Sequence, residues 1–268
     1  MKKEKCSCVR SRVVEFLMQS AQRLEVSPIV KYSALSLFAD RFYPALSRFE
    51  DGKGTISWLL HPIRESNLQL FALVSIWISS KIHDTPPLSV KNLKLLGDKF
   101  IKEQHYATRD HLEAEMVLMQ VIMFIKVLEF GIGMSNIAFV LVEELLGQLK
   151  VVARVGEHVA FEACMDIMDL LYEKEVTPVL YGSPCFKAAS ILVDLLTCNQ
   201  AAIYFPLGPS SERVFFPLQV AAYVITVPKQ RWEFPVLPWV QFVTPCKEED
   251  ILDSVKQILK HIFDPQPD

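Results

Sequence analysis

The stretch NLQLFALVSIWISSKI, residues Asn67–Ile82, decides the fold. Leu68, Leu70, Phe71, Leu73, Val74, Ile76, Trp77 and Ile78 leave almost no polar face at helical spacing. A helix that is apolar nearly all round belongs at the centre of a domain, with other helices packed about it. Asp84-Thr85-Pro86-Pro87 stops it, because proline has no N–H to continue the ladder and the residue before it avoids the helical region.

Helical spacing continues on both sides of this segment. Upstream, Val13, Val14, Leu17 and Ala21 share one helix face, and Ala34, Leu35, Leu37, Phe38, Phe42 and Leu46 mark a second helix that starts at Ser27-Pro28. Pro44 predicts a kink or a terminating turn near its end. Residues 50–54 read as a loop. Downstream, Val90–Leu96 predicts a short helix, and Thr108 is placed to cap a long one with Asp110, Glu113 and Glu115 in its early turns.

The pattern restarts after Gly133. Ser135 and Asn136 can cap a helix to Leu149, Val155–Glu173 is amphipathic, and Phe186–Leu196 follows Ser183-Pro184. The proline spacing of residues 234–240 suits short helical turns or extended chain, and residues 247–263 close the sequence as an amphipathic helix. No alternating run is long enough for a sheet. The expectation is an all-α chain of two units, residues 1–132 and 133–268.

The 268 residues are half hydrophobic and suffice for a sizeable core. A net charge of −3, with both signs present, offers no basic field for nucleic acid. Mean hydropathy is +0.24. Even so, the charge-free runs, Ser66–Ser80, Leu195–Ser211 and Val214–Pro228, are shorter than a bilayer span, so no membrane partner is expected. The N-terminus is basic but no apolar segment follows it, unlike a secretory signal. Six scattered cysteines suggest a reduced, intracellular protein, and Cys6 and Cys8 alone make a poor metal site.

Signatures of catalysis are missing from the sequence: no phosphate loop, no nucleophile elbow and no His-Glu-x-x-His. The six histidines do not pair at helical spacing, so no metal or cofactor is expected. Trp77 reads as core, because its neighbours are apolar. Two charged residues stand where the pattern predicts none: Lys81 ends the most hydrophobic helix, and Glu115 enters the run Glu115-Met116-Val117-Leu118-Met119. They are either solvent-facing helix-end charges or a pair offered to a partner.

The first half of the sequence resembles the cyclin box. The segment from Tyr32 to Asp40-Arg41-Phe42 is similar to the second helix of that five-helix fold. Leu68-Gln69-Leu70 with Lys81 eleven residues on is similar to the third, and Glu115, Met119 and Val121 to the fifth. Arg12 falls where the first cyclin helix carries an arginine. Glu175-Val176-Thr177-Pro178 and the Trp232–Trp239 stretch extend the resemblance, toward plant J-type cyclins. The resemblance implies two tandem five-helix units, the second interrupted by an insert. It also implies a regulatory subunit, itself no enzyme, that binds and activates a cyclin-dependent serine/threonine kinase in cell-cycle control, in the nucleus or cytoplasm. Lys81 and Glu115 would hydrogen-bond the kinase, Ile82, Met119 and Phe130 would make the apolar contact, and Arg12, Asp40 and Leu70 would be structural, Arg12 pairing with Asp40.

Two departures accompany it. Where the family's first helix often carries a Met and a Trp that form a substrate-docking patch, the corresponding stretch here is Ser11-Arg12-Val13-Val14-Glu15-Phe16-Leu17-Met18, so docking by that route is not expected. Ile122–Val127 and Asp194–Val220 read as additions, of the kind that alternative splicing produces. Six added residues rotate a helix by a net of about 240°, which would separate Glu115 from Phe130 unless a bulge absorbs them or Phe124 substitutes. A transcription-associated cyclin-box protein and a helical scaffold that binds no kinase are the other readings.

Overall fold

The computed structural model describes residues 2–49, 58–60, 63–125, 137–153, 157, 159, 161–173, 236–244 and 246–263, and every regular element among them is a helix. The chain divides into two compact units. One is Met1–Met134 with Tyr172–Glu175, the other Ser135–Leu171 with Val176–Asp268. Phe130 and Asp194–Val220 lie outside the described residues.

In the first unit, α4 (Glu65–His83) is the centre. It packs against α1 (Lys2–Arg23), α2 (Pro28–Leu35), α5 (Val90–Phe100) and α6 (Thr108–Ile125). Leu70, Phe71, Leu73 and Ile76 are fully buried, each contributing roughly 1.5–3 kcal/mol. α4 has almost no exposed face because helices cover it on several sides, and Ser66, Asn67, Ser75, Ser79 and Ser80 are buried with its apolar residues.

Pro28 opens a helical stretch that does not end at Pro44. α2 passes into a π-helical segment, Ser36–Phe42, and then into α3 (Tyr43–Phe49). Tyr43 donates its N–H to Phe38 O, one residue further back than in an α-helix. A proline inside a regular α-helix clashes with the carbonyl four residues earlier, here that of Asp40. The wider turn just before Pro44 relieves that conflict, and the helix carries on. Phe38, Phe42 and Phe71 line up behind it, with centroids 6.0 and 4.6 Å apart.

Other boundaries also differ from the sequence reading, for physical reasons. α5 runs through Gly97 to Phe100. Gly97 is buried within the helix, where a Cβ would make an ordinary contact at 3.4 Å with Leu73 Cδ1. Ser89 caps α5 by accepting from Asn92 N. The cap of α6 is not Thr108. Asp110 reaches back to accept the Ala107 N–H at 2.6 Å. α6 is α-helical through Ile122–Ile125 with no bulge.

At the end of α1, Glu25 N donates to Gln22 O and Val26 N to Ala21 O. Glu25 takes φ 51°, the left-handed position usually given to glycine. The Thr85–Pro86 peptide is cis.

In the second unit, α7 (Ala138–Val152) buries Ala138, Phe139, Val142, Leu145, Leu146 and Leu149 along one stripe. α8 (Phe161–Glu173) begins later than the sequence suggested and meets α7 edge-on, Phe161 against Phe139 at 5.3 Å. Burial pushes the Cys164 thiol up to about 12. α9 (Val236–Val243) is helical, with Pro238 in the first turn, where no N–H is required. α10 (Glu248–Phe263) opens on Glu248, Glu249 and Asp250, which offset the helix dipole.

Candidate functional site

Two helices build the candidate surface. α4 carries Lys81 in its last turn, and α6 carries Glu115 two turns in. Lys81 Nζ donates to Glu115 Oε1 at 2.6 Å, across 34 residues of sequence. The side chains are 38% and 24% exposed, so the pair stands at the surface in reach of a partner. An exposed ion pair contributes only about 0–1 kcal/mol to stability, so folding alone gives little reason for it.

Trp77 lies one turn before Lys81, and the Lys81 amine sits 3.5 Å from the centroid of its ring. The indole is otherwise buried and donates Nε1–H to Leu88 O at 3.1 Å. Leu88 N in turn donates to Ser80 Oγ at 2.7 Å. These two bonds tie the chain after Pro86-Pro87 back onto α4. Trp77 is therefore core, as its neighbours suggested, and also the seat of Lys81.

Apolar side chains border the pair. Ile82 is 40% exposed, Leu112 46% and Met116 63%, while Met119 is half-buried. Leu112, Glu115, Met116 and Met119 follow helical spacing, so they form one stripe of α6. Large apolar groups open to water beside a positioned ion pair have the composition of an interface centre. The sequence reading named Ile82 and Met119 but not Leu112 or Met116. The spacing of both to Glu115 was the available signal.

The residues given structural roles lie elsewhere in the unit. Leu70 is fully buried. Arg12 donates from Nε and Nη2 to the Glu65 carboxylate, at 2.5 Å for the shortest bond. Asp40 Oδ2 accepts from Tyr172 OH at 3.1 Å. Glu65 is thus one partner of Arg12, and Tyr172 one partner of Asp40. Burial, and then Asp40 beside it, pushes the Tyr172 hydroxyl well above its usual range. Arg10 is buried and donates to Tyr172 O, and Ser11 Oγ to Glu173 O. The apolar residues of Ser11–Met18, namely Val13, Val14, Phe16, Leu17 and Met18, are all buried, so they offer no open docking patch.

Among the described residues no three His, Cys, Asp or Glu side chains gather to hold a metal. No helix among them is long and apolar enough to cross a membrane.

The helices around α4, with the Lys81–Glu115 pair at their surface, define a cyclin-box protein. The family described as Cyclin, N-terminal domain matches residues 2–125. The sequence is 52% identical to Cyclin-J18 of Arabidopsis thaliana over 255 residues, 95% of each chain. It is 45% identical to Cyclin-J18-like of Oryza sativa subsp. japonica over 262 residues, 96% of this chain and 88% of that one. The chain belongs to the cyclin family, a regulatory and non-catalytic family.

Proposed function

We propose that the chain is the regulatory subunit of a cyclin-dependent serine/threonine protein kinase, acting in cell-cycle control in the nucleus or cytoplasm. The observation that carries this reading is the Lys81–Glu115 pair, seated on Trp77 and bordered by Ile82, Leu112, Met116 and Met119. Lysine supplies three donors and glutamate a carboxylate, so together they can bond backbone groups of a kinase helix and fix its register. The exposed apolar groups supply affinity. Binding then favours the kinase conformation in which its own Lys–Glu ion pair is assembled, by differential affinity for the two states.

The test is binding and phosphorylation with a cyclin-dependent kinase. Lys81→Glu and Glu115→Lys each lower affinity about tenfold or more, from lost charge-assisted bonds and new repulsion. The double swap restores the intramolecular pair but not kinase binding, because the kinase meets the charges in the wrong places. Binding that survives all three variants rejects the proposal. A fluorescent fusion tests the compartment, and confinement to a membrane-bound organelle other than the nucleus counts against it.

A further inference from the structure

A second surface of the first unit has no place in the reading above. Arg23, Leu24 and Glu25, at the end of α1, face Leu88 and the α5 residues Asn92, Leu95, Leu96, Lys99 and Phe100 across a groove of roughly 610 Å³. That volume suits a few peptide side chains. Leu24, Leu88, Leu95, Leu96 and Phe100 give it an apolar lining, and Leu95 is 69% exposed. Its charge is lopsided. Arg23 Cζ lies 4.0 Å from the Phe100 ring centroid and Lys99 Nζ 5.2 Å from it, so one aromatic ring collects two cations. Among the described residues neither cation has an ion-pair partner. By contrast, Lys94 on the same helix is paired with Asp98. Glu25 supplies the groove's one carboxylate from a backbone conformation that glycine would adopt more easily.

We infer that this groove docks a short extended peptide of a partner protein, with an aliphatic side chain beside an acidic one. The aliphatic group fills the space over Leu95 and Leu96. The carboxylate takes bonds from Arg23, whose planar fork suits it, and gains the Lys99 charge. The groove shares no residue with the Lys81 surface, so it can act while a kinase is bound there. It also lies apart from Ser11–Met18, whose apolar side chains are buried.

The test selects a random peptide library, displayed on phage, against the full chain. The best binder is then synthesised and its affinity measured by fluorescence anisotropy. Enriched sequences are expected to place Leu, Ile, Val or Met within two residues of Asp or Glu. Leu95→Asp and Lys99→Glu each weaken binding about tenfold. Glu25→Gln tightens it about twofold by removing repulsion, and added salt weakens it. Lys91→Glu, on α5 but outside the groove lining, leaves it unchanged, as does Lys81→Glu, which separates this proposal from kinase docking. Circular dichroism and melting verify that each variant is folded. Three results overturn the inference: no enriched sequence, enriched basic sequences, or binding unmoved by both Leu95→Asp and Lys99→Glu. Self-association abolished by Leu95→Asp also overturns it, by making a second copy the occupant.

Discussion

His83 ends α4 two residues beyond Lys81, where its Nε2 lies 3.3 Å from Ser33 Oγ. Burial lowers its pKa below 6.5, with neighbouring Asp84 opposing the shift. The unfolded chain therefore binds the proton more readily. The neutral ring's contribution to stability is present above pH 6.5 and is lost as pH falls through the lowered folded value. The expected outcome is that His83→Gln flattens the pH dependence of urea unfolding between about pH 7 and 5. An unchanged slope would show that His83 does not sense the fold. At this scale the sequence was legible wherever chemistry broke a pattern. Lys81 and Glu115 were visible as charges among apolar neighbours. Trp77 hid its second role because a buried indole and a lysine seat look alike in sequence, one turn from an amine. The contacts of Arg12 with Glu65 and of Asp40 with Tyr172 were equally hidden, since they span 53 and 132 residues.

Helices were legible as elements; their irregularities were not. Proline at 44 announced a disturbance, but whether the chain turns, kinks or widens depends on what packs there. Phe38 and Phe42 against Phe71 reward continuing the helix, and the π segment makes that possible. The helix read as Val90–Leu96 runs on through Gly97 to Phe100. Its packing against Leu73 is a tertiary contact that no local pattern contains. The end of α1 gives a prediction at this scale. Glu25 holds φ 51° in a turn closed by Val26 N to Ala21 O, where a side chain is strained. Glu25→Gly is expected to raise unfolding stability by about 1 kcal/mol. A loss of stability in the urea titration would mean that the Glu25 side chain holds the turn by a contact worth more than the strain.

For the whole molecule, the all-helical class followed from periodicity alone, because 3.6-residue spacing recurs without alternation. The central place of α4 followed from its lack of a polar face. Leu70 provides the measure of that centre. Leu70→Ala removes a fully buried side chain from the helix on which α1, α2, α5 and α6 converge. It should cost about 2–5 kcal/mol and lower the melting temperature by several degrees. A change under about 1 kcal/mol would place the core elsewhere. The tandem arrangement was inferred from resemblance, and spacing could say only that a helical pattern begins again after Gly133.

The seat of Lys81 has one more consequence. A free lysine samples many rotamers, and immobilising one at an interface costs roughly 0.5–1.5 kcal/mol. Here the amine is held between the Trp77 ring and the Glu115 carboxylate within the chain itself. That entropy is surrendered during folding, so on the proposed function an incoming kinase would meet a side chain already stilled. On that proposal Trp77→Leu should weaken kinase binding several-fold although the indole itself is buried in the chain. The loss should appear as an unfavourable entropy change in calorimetry, with the enthalpy of binding little altered.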